Sequence, residues 1–322
     1  MSNYFLRDWK NESKLEQKAL RDGFGEMILK LGKDNKDIIV LNADLPGSLR
    51  VKKFEKELPN QFVQVGVAEQ NMAGIATGLE IVGKIPFITS FAAFSPGLNF
   101  SQIRLAAICK QNIKVVGSHY GLNVGEDGAS AQMNSDLGMM KSLAGITIIT
   151  PADYNQAMQA TKLISEMKGP AYLRVTRAKF PVFLKPDSEF EIGKAQKLIK
   201  GDDLTVIATG SMVYETIQAL LPLIEDGLSI DLLNIHTVKP LDKEIILKSA
   251  KKTNKVIVVE EHNIWGGLGE SVARLLGEKH PVEIKCIGIK DTFGESGSHR
   301  DLWSKYGLDR KSLRKQISSL IF

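Results

Sequence analysis

The sequence predicts an α/β protein of two domains, each a mostly parallel sheet flanked by helices. Two observations carry this. Apolar runs of strand length alternate with longer segments of helical period through most of the 322 residues. A stretch without period that holds two prolines, 179–187, divides a longer set of such units from a shorter one. The expected domains are therefore 1–186 and 187–322, and a chain of this length has material for about two buried cores.

In the first half, strands are expected at 37–42, 85–91, 113–117, 146–150 and 171–176. Helices are expected at 20–31, 70–82, 100–110 and 154–167, with Pro151-Ala152-Asp153 turning a strand end into a helix. The segment 179–187 reads as a linker. The second unit opens near Asp202, with strands at 204–208, 230–234, 256–260 and 282–289. Its helices fall at 214–225, 243–251, 268–277 and 311–320. No short repeat or low-complexity tract interrupts the pattern.

Composition narrows the function. Hydrophobic residues make up 43% and charged residues 25%, the balance of an ordinary globular chain. Net charge is +5, but the bases are dispersed among acids. Nucleic-acid binding calls for a concentrated basic stripe, and the run Arg50-Val51-Lys52-Lys53 reads as a solvated face. A modest positive excess suits small anionic substrates such as sugar phosphates. Cys109 and Cys286 lie too far apart in sequence to suggest a disulfide framework or a CxxC metal site. No apolar run reaches membrane-spanning length, and Met1 to Lys10 lacks the apolar core of a signal peptide. The expected location is the cytoplasm, with no membrane or nucleic-acid partner.

Three stretches carry chemistry. In Gln64-Val65-Gly66-Val67-Ala68-Glu69-Gln70-Asn71 an acid closes a strand-like run and opens a helix rich in small residues. Taken alone, Glu69 is equally well an acid placed for the helix dipole. In Phe91-Ala92-Ala93-Phe94 two aromatics stand three apart at a strand end, where core packing would also explain them. In Ser118-His119-Tyr120-Gly121-Leu122-Asn123-Val124-Gly125-Glu126-Asp127-Gly128 glycines and acids follow a strand directly, where open α/β sheets place ligands.

Together these stretches resemble the transketolase family. Asn42-Ala43-Asp44-Leu45 and Ile103-Arg104-Leu105-Ala106-Ala107 match it too. So do Val259-Glu260-Glu261-His262-Asn263, Gly266-Gly267-Leu268-Gly269 and Phe293-Gly294-Glu295-Ser296-Gly297. The resemblance implies a thiamine-diphosphate-binding fold, the pyrimidine-binding domain, followed by a transketolase C-terminal domain. Glu69 would then hydrogen-bond a ring nitrogen of the cofactor's aminopyrimidine and activate it. A carboxyl away from water, beside aromatics, can share a proton with such a nitrogen. Phe91 and Phe94 would wall the pyrimidine pocket, Phe94 as the stacking ring, with Asp44 and Leu45 near the cofactor. His119 and Arg177 match substrate contacts, His119 also as a catalytic candidate. Arg21 and Ser48 match contacts to the phosphate end, for which a guanidinium is suited, and Asp127 matches the acid that accepts a sugar hydroxyl. Glu261 and His262 would lie at an interface or support the site.

Two departures from the family pattern matter. The Gly-Asp-Gly and following Asn that hold the diphosphate and Mg²⁺ do not occur here; Gly201-Asp202-Asp203 lacks the final Gly. The resemblance therefore implies an N-terminal transketolase subunit that holds both, no metal ligands in this chain, and an α2β2 assembly. In addition, Ser130-Ala131 stands where the family has Thr-His, which points to a specialised sugar or a nucleotide-linked sugar. The expected activity is transfer of a two-carbon ketol unit from a ketose to an aldose. Two alternatives remain at this stage: the β subunit of a 2-oxo acid dehydrogenase, and a non-catalytic scaffold subunit. Gly266-Gly267-Leu268-Gly269 lacks the spacing of a dinucleotide fingerprint.

Overall fold

The apolar runs at 38–42, 114–118 and 171–175 are buried along their whole length, as strands of parallel sheets covered on both faces must be. The computed structural model describes residues 3–319. In chain order its first half holds β1 (Gln17–Ala19), α1 (Leu20–Asp34), β2 (Ile38–Asn42), α2 (Lys52–Glu57), β3 (Phe62–Gln64), α3 (Glu69–Ile81) and β4 (Ile85–Phe91). There follow α4 (Phe100–Ile108), β5 (Lys114–Ser118), α5 (Asp136–Lys141), β6 (Thr147–Ile149), α6 (Tyr154–Glu166), β7 (Ala171–Val175) and β8 (Lys179–Pro181). The second half holds β9 (Gln196–Ile199), β10 (Leu204–Ala208), α7 (Met212–Glu225), β11 (Ile230–Asn234), β12 (Thr237–Lys239), α8 (Lys243–Thr253) and β13 (Lys255–Asn263). It ends with α9 (Leu268–Lys279), β14 (Glu283–Ile289), α10 (His299–Lys305) and α11 (Arg310–Ser318). The expected last helix ran on to Leu320, which lies outside the described residues.

The first sheet has seven strands in the order β12-β6-β7-β5-β4-β2-β3. Six are parallel, and β12, from the second half of the chain, lies antiparallel on the edge beside β6. The second sheet runs β14-β13-β10-β11-β9, parallel except for the edge strand β9. This agrees with the expected pair of mostly parallel sheets flanked by helices.

The expected linker is a correction. Residues 179–181 form β8, which pairs antiparallel with β1, and Phe180, Val182, Phe183 and Leu184 are buried in the core. The physical reason lies in Asp153. Its Oδ1 accepts from the Gln156 N–H and caps α6, while its Oδ2 accepts from the N–H groups of Phe183 (3.0 Å) and Leu184 (2.8 Å). The prolines interrupt the periodic signal without freeing the chain. The glycine-rich turn at α9 also has a structural reason. Glu260 accepts the N–H groups of Leu268 (2.6 Å) and Gly269 (2.8 Å), so the helix start is already filled by a carboxylate of the same chain.

Candidate active site

The candidate residues collect at one edge of the first sheet. Asp44 and Leu45 follow β2, Phe91 ends β4 with Phe94 just beyond, His119 follows β5, and Arg177 follows β7. These strands are neighbours and point the same way, so their carboxyl ends present one continuous rim. The rim is held by its own polar ends. Asn42 donates to the Thr89 carbonyl and hydroxyl (3.2 and 2.9 Å) and accepts from the Leu45 N–H (2.7 Å), which fixes the turn bearing Asp44. Asp44 itself adopts a left-handed conformation, φ 58°, and is exposed.

Glu69 stands at the first position of α3, 4% exposed, with its helix laid against β4. Its Oε1 accepts from Ser90 Oγ (3.2 Å), the residue before Phe91, and its carbonyl accepts from Asn99 Nδ2 (3.2 Å). Among the described residues Oε2 accepts no hydrogen bond. A nearly buried carboxylate with one open oxygen fits a ligand that brings a donor to it. One residue on from Ser90, Phe91 stacks parallel to Phe94, centroids 5.6 Å apart. Phe91 is buried, whereas Phe94 is half-buried and keeps an accessible ring. These residues fit the aminopyrimidine of a thiamine cofactor.

His119 is buried, with φ 61°, and stacks on Phe91. Its Nε2 lies 3.4 Å from Arg21 Nη1 and its Nδ1 lies 2.7 Å from Ser118 Oγ. A guanidinium can only donate, so Nε2 accepts and Nδ1 carries the proton that goes to Ser118. Burial, then the nearby charges of Arg21, Arg177 and Arg50, push its pKa down to about 2. The imidazole is neutral and of fixed tautomer.

Arg21, in the first turn of α1, donates to the Ser48 carbonyl (2.9 Å), and its Nε is buried without a partner among the described residues. Burial and then Arg50 lower its pKa to about 10. Arg50 is exposed, as expected of a solvated face, and its Nε donates to Asp22 Oδ1 (2.6 Å), one residue on from Arg21. Arg177 donates from Nη1 to the Val124 carbonyl and to Glu126 Oε2 (2.8 Å). Three guanidinium groups thus surround one corner of the rim. Asp127 is exposed on the loop after β5, and no contact among the described residues joins it or Asp44 directly to this cluster. Ala131 is buried.

The sequence reading missed Ser90 and Ser118, whose hydroxyls hold Glu69 and His119. Only their places at strand ends beside the motif residues hinted at this. Glu261 and His262, expected at an interface or in support, are buried within this chain. Beneath the rim, Arg174 makes a paired contact with Asp136 (2.6 and 3.0 Å), and Tyr172 Oη donates to the same carboxylate (2.7 Å). Among the described residues no three His, Cys, Asp or Glu side chains converge as a metal site, and no helix is long and apolar enough to cross a membrane.

Two family models match the chain: transketolase, pyrimidine binding domain, over residues 16–182, and transketolase, C-terminal domain, over residues 193–313. The sequence is 43% identical over 304 residues to a transketolase C-terminal section of Methanocaldococcus jannaschii, covering 93% of this chain and 95% of that one. It is 38% identical to the 6-deoxy-6-sulfo-D-fructose transketolase subunit of Clostridium sp. (strain MSTE9), over 94% of each chain. Among solved structures, a split gene transketolase in an inactive beta4 tetramer superposes with a TM-score of 0.87 at 36% identity, covering 94% of this chain and 97% of that one.

Proposed function

Because the chain belongs to the transketolase family and carries its pyrimidine-binding and C-terminal domains, we propose that it is the C-terminal subunit of a thiamine-diphosphate-dependent transketolase completed by a separate N-terminal subunit. The proposed domain division is 186/187. The observation that carries the reading is Glu69: a nearly buried carboxylate with an open Oε2, held by Ser90 at the strand end that leads into the stacked pair Phe91 and Phe94.

Thiamine diphosphate supplies the nucleophilic carbon that takes up the two-carbon unit of a ketose for transfer to an aldose. This chain's residues bind and orient around it. Glu69 would offer Oε2 to a ring nitrogen of the bound pyrimidine, Phe94 and Phe91 would supply an aromatic wall for it, and Asp44 and Leu45 would lie near the cofactor. His119, neutral, donates through Nδ1 to Ser118 and keeps Nε2 as an acceptor toward substrate and Arg21. Arg21, Arg177 and the Ser48 segment receive the anionic end of the sugar, and Asp127 accepts a hydroxyl. With Ala131 in place of the usual His, the donor is a specialised ketose whose far end is a phosphate or a sulfonate. The name of the Clostridium relative supports a sulfonate.

The diphosphate and Mg²⁺ belong to the N-terminal subunit. It docks on α3 and α4, where Ile81, Val82, Leu98, Leu105 and Ile108 are exposed. Gly74 and Gly78 face nothing within 4 Å there. Glycine inside a helix costs up to about 1 kcal/mol relative to alanine, and close approach of another backbone offsets it. An α2β2 assembly follows from the symmetry of such a pair. The unpaired thiols of Cys109 and Cys286 suit a reducing cytoplasm.

The test is co-expression with an N-terminal subunit bearing Gly-Asp-Gly, followed by a screen of ketose phosphates and sulfonates against aldose acceptors. Ketol transfer that needs both chains and thiamine diphosphate is expected. Decarboxylation of pyruvate with acyl transfer to lipoamide, and no ketol transfer, would overturn the proposal.

A further inference from the structure

Glu261 lies in β13 of the second sheet, yet its carboxylate is buried against the loop that follows β5 of the first. Four donors converge on it. Oε1 accepts from the Asn123 backbone N–H (2.8 Å) and from Trp303 Nε1 (3.0 Å). Oε2 accepts from Ser211 Oγ (2.6 Å) and from Asn123 Nδ2 (3.3 Å). The loop backbone rests directly on the carboxylate. Gly121 has φ 67°, and a Cβ there would come within 2.6 Å of Glu261 Cδ.

Asn123 passes this anchoring on. Its Oδ1 accepts the backbone N–H of Arg177 (3.1 Å), and the Arg177 guanidinium in turn grips the Val124 carbonyl of the same loop. A second tie runs in parallel, Gln132 Nε2 donating to the Glu295 carbonyl (2.9 Å). The loop bearing Asp127 and the segment bearing Arg177 are thus set by the second half of the chain.

We propose that Glu261 is a positioning residue for the sugar substrate: through Asn123 it fixes the loop carrying Asp127 and the backbone of Arg177. The inference rests on the reading of that loop as the sugar-binding side of a ketol transferase. It gives the second half of the chain a part in substrate recognition and leaves cofactor binding to the residues around Glu69.

The experiment uses the complex with its N-terminal subunit and the ketose phosphate or sulfonate of the screen above that the wild type turns over. Glu261→Gln keeps the shape and sets an NH₂ against the converging donors. KM for the ketose should rise roughly tenfold to a hundredfold, the range expected for losing a buried charged hydrogen bond. The dissociation constant of thiamine diphosphate should stay within about twofold, and kcat should fall far less than KM rises. Asn123→Ala should raise KM similarly, and the double variant should add little to either, because both break one relay. Ser211→Ala, which leaves the Asn123 contacts in place, should leave KM near wild type. If Glu261→Gln fails to assemble, Asn123→Ala decides: an unchanged KM overturns the proposal. Equal losses of cofactor and sugar binding, or effects of the two variants that simply add, also overturn it. A wild-type complex without ketol transfer overturns the underlying reading as well, whereas an active wild type with unaltered variants overturns this inference alone.

Discussion

The imidazole of His119 lies flat against the ring of Phe91, centroids 3.7 Å apart and planes 18° apart. Buried there, and with Arg21, Arg177 and Arg50 nearby, it resists protonation down to a pKa of about 2. An unfolded chain takes up that proton near the ordinary value of about 6.5. Between the two values the unfolded state binds more protons, so stability falls as pH falls, by up to about 1.4 kcal/mol per pH unit. His119→Gln removes the group. Its urea midpoint should therefore drop less than the wild type's between about pH 7 and pH 5. His236, buried and pushed down to about 3, adds a slope common to both proteins.

Glu69→Ala should abolish most turnover in the reconstituted complex. A positioned proton-transfer group is worth roughly 10²–10⁴ in rate. Among the described residues the side chain makes one hydrogen bond, to Ser90, so the urea midpoint should move little. Unchanged steady-state kinetics would instead mark the subunit as a scaffold.

Arg21→Met should raise KM for an anionic sugar roughly tenfold to a hundredfold. A neutral analogue lacking the phosphate or sulfonate should show little change. Comparing the two substrates separates loss of anion recognition from general damage to the rim.

Replacing Gly74 and Gly78 together by alanine should move two observables in opposite directions. The isolated chain should gain about 0.5–1 kcal/mol per site from lower unfolded-state entropy, because neither new methyl meets a described residue outside its own helix turn within 4 Å. Assembly with the N-terminal subunit should weaken, read as dissociation by analytical ultracentrifugation.

Asp136→Asn strips the charge from the fully buried contact with Arg174. Breaking such a pair costs about 3–5 kcal/mol, since it leaves a buried cation uncompensated. Chemical denaturation should register this loss at neutral pH.

Much of the fold was legible because its strands are apolar on both faces and its helices are periodic. Strands β2, β4, β5, β7, β10 and β11 and helices α1, α3, α6 and α8 lie where that patterning places them. Three-residue strands carry too few residues for any period, and β1, β3, β8 and β12 went unread, whereas β6, equally short, fell within the apolar run expected at 146–150. The pattern also failed at 179–187, where burial comes from a distant acceptor, Asp153, that no local window contains. The residues around the rim were found as motifs. Ser90, Ser118, Arg50 and the Asn123–Glu261 contact were not, because their meaning depends on which strand ends lie side by side. Spacing along the chain does not reveal that.

The strand β12 has a consequence for how the chain can be divided. It is contributed by the second half but lies on the outer edge of the first sheet, where its partner is β6. A fragment stopping short of Thr237 would leave β6 as an open margin with unpaired amides and carbonyls, a template for pairing with neighbouring molecules. The first half cut free as a standalone module would be sticky, so the two halves are best expressed as one polypeptide.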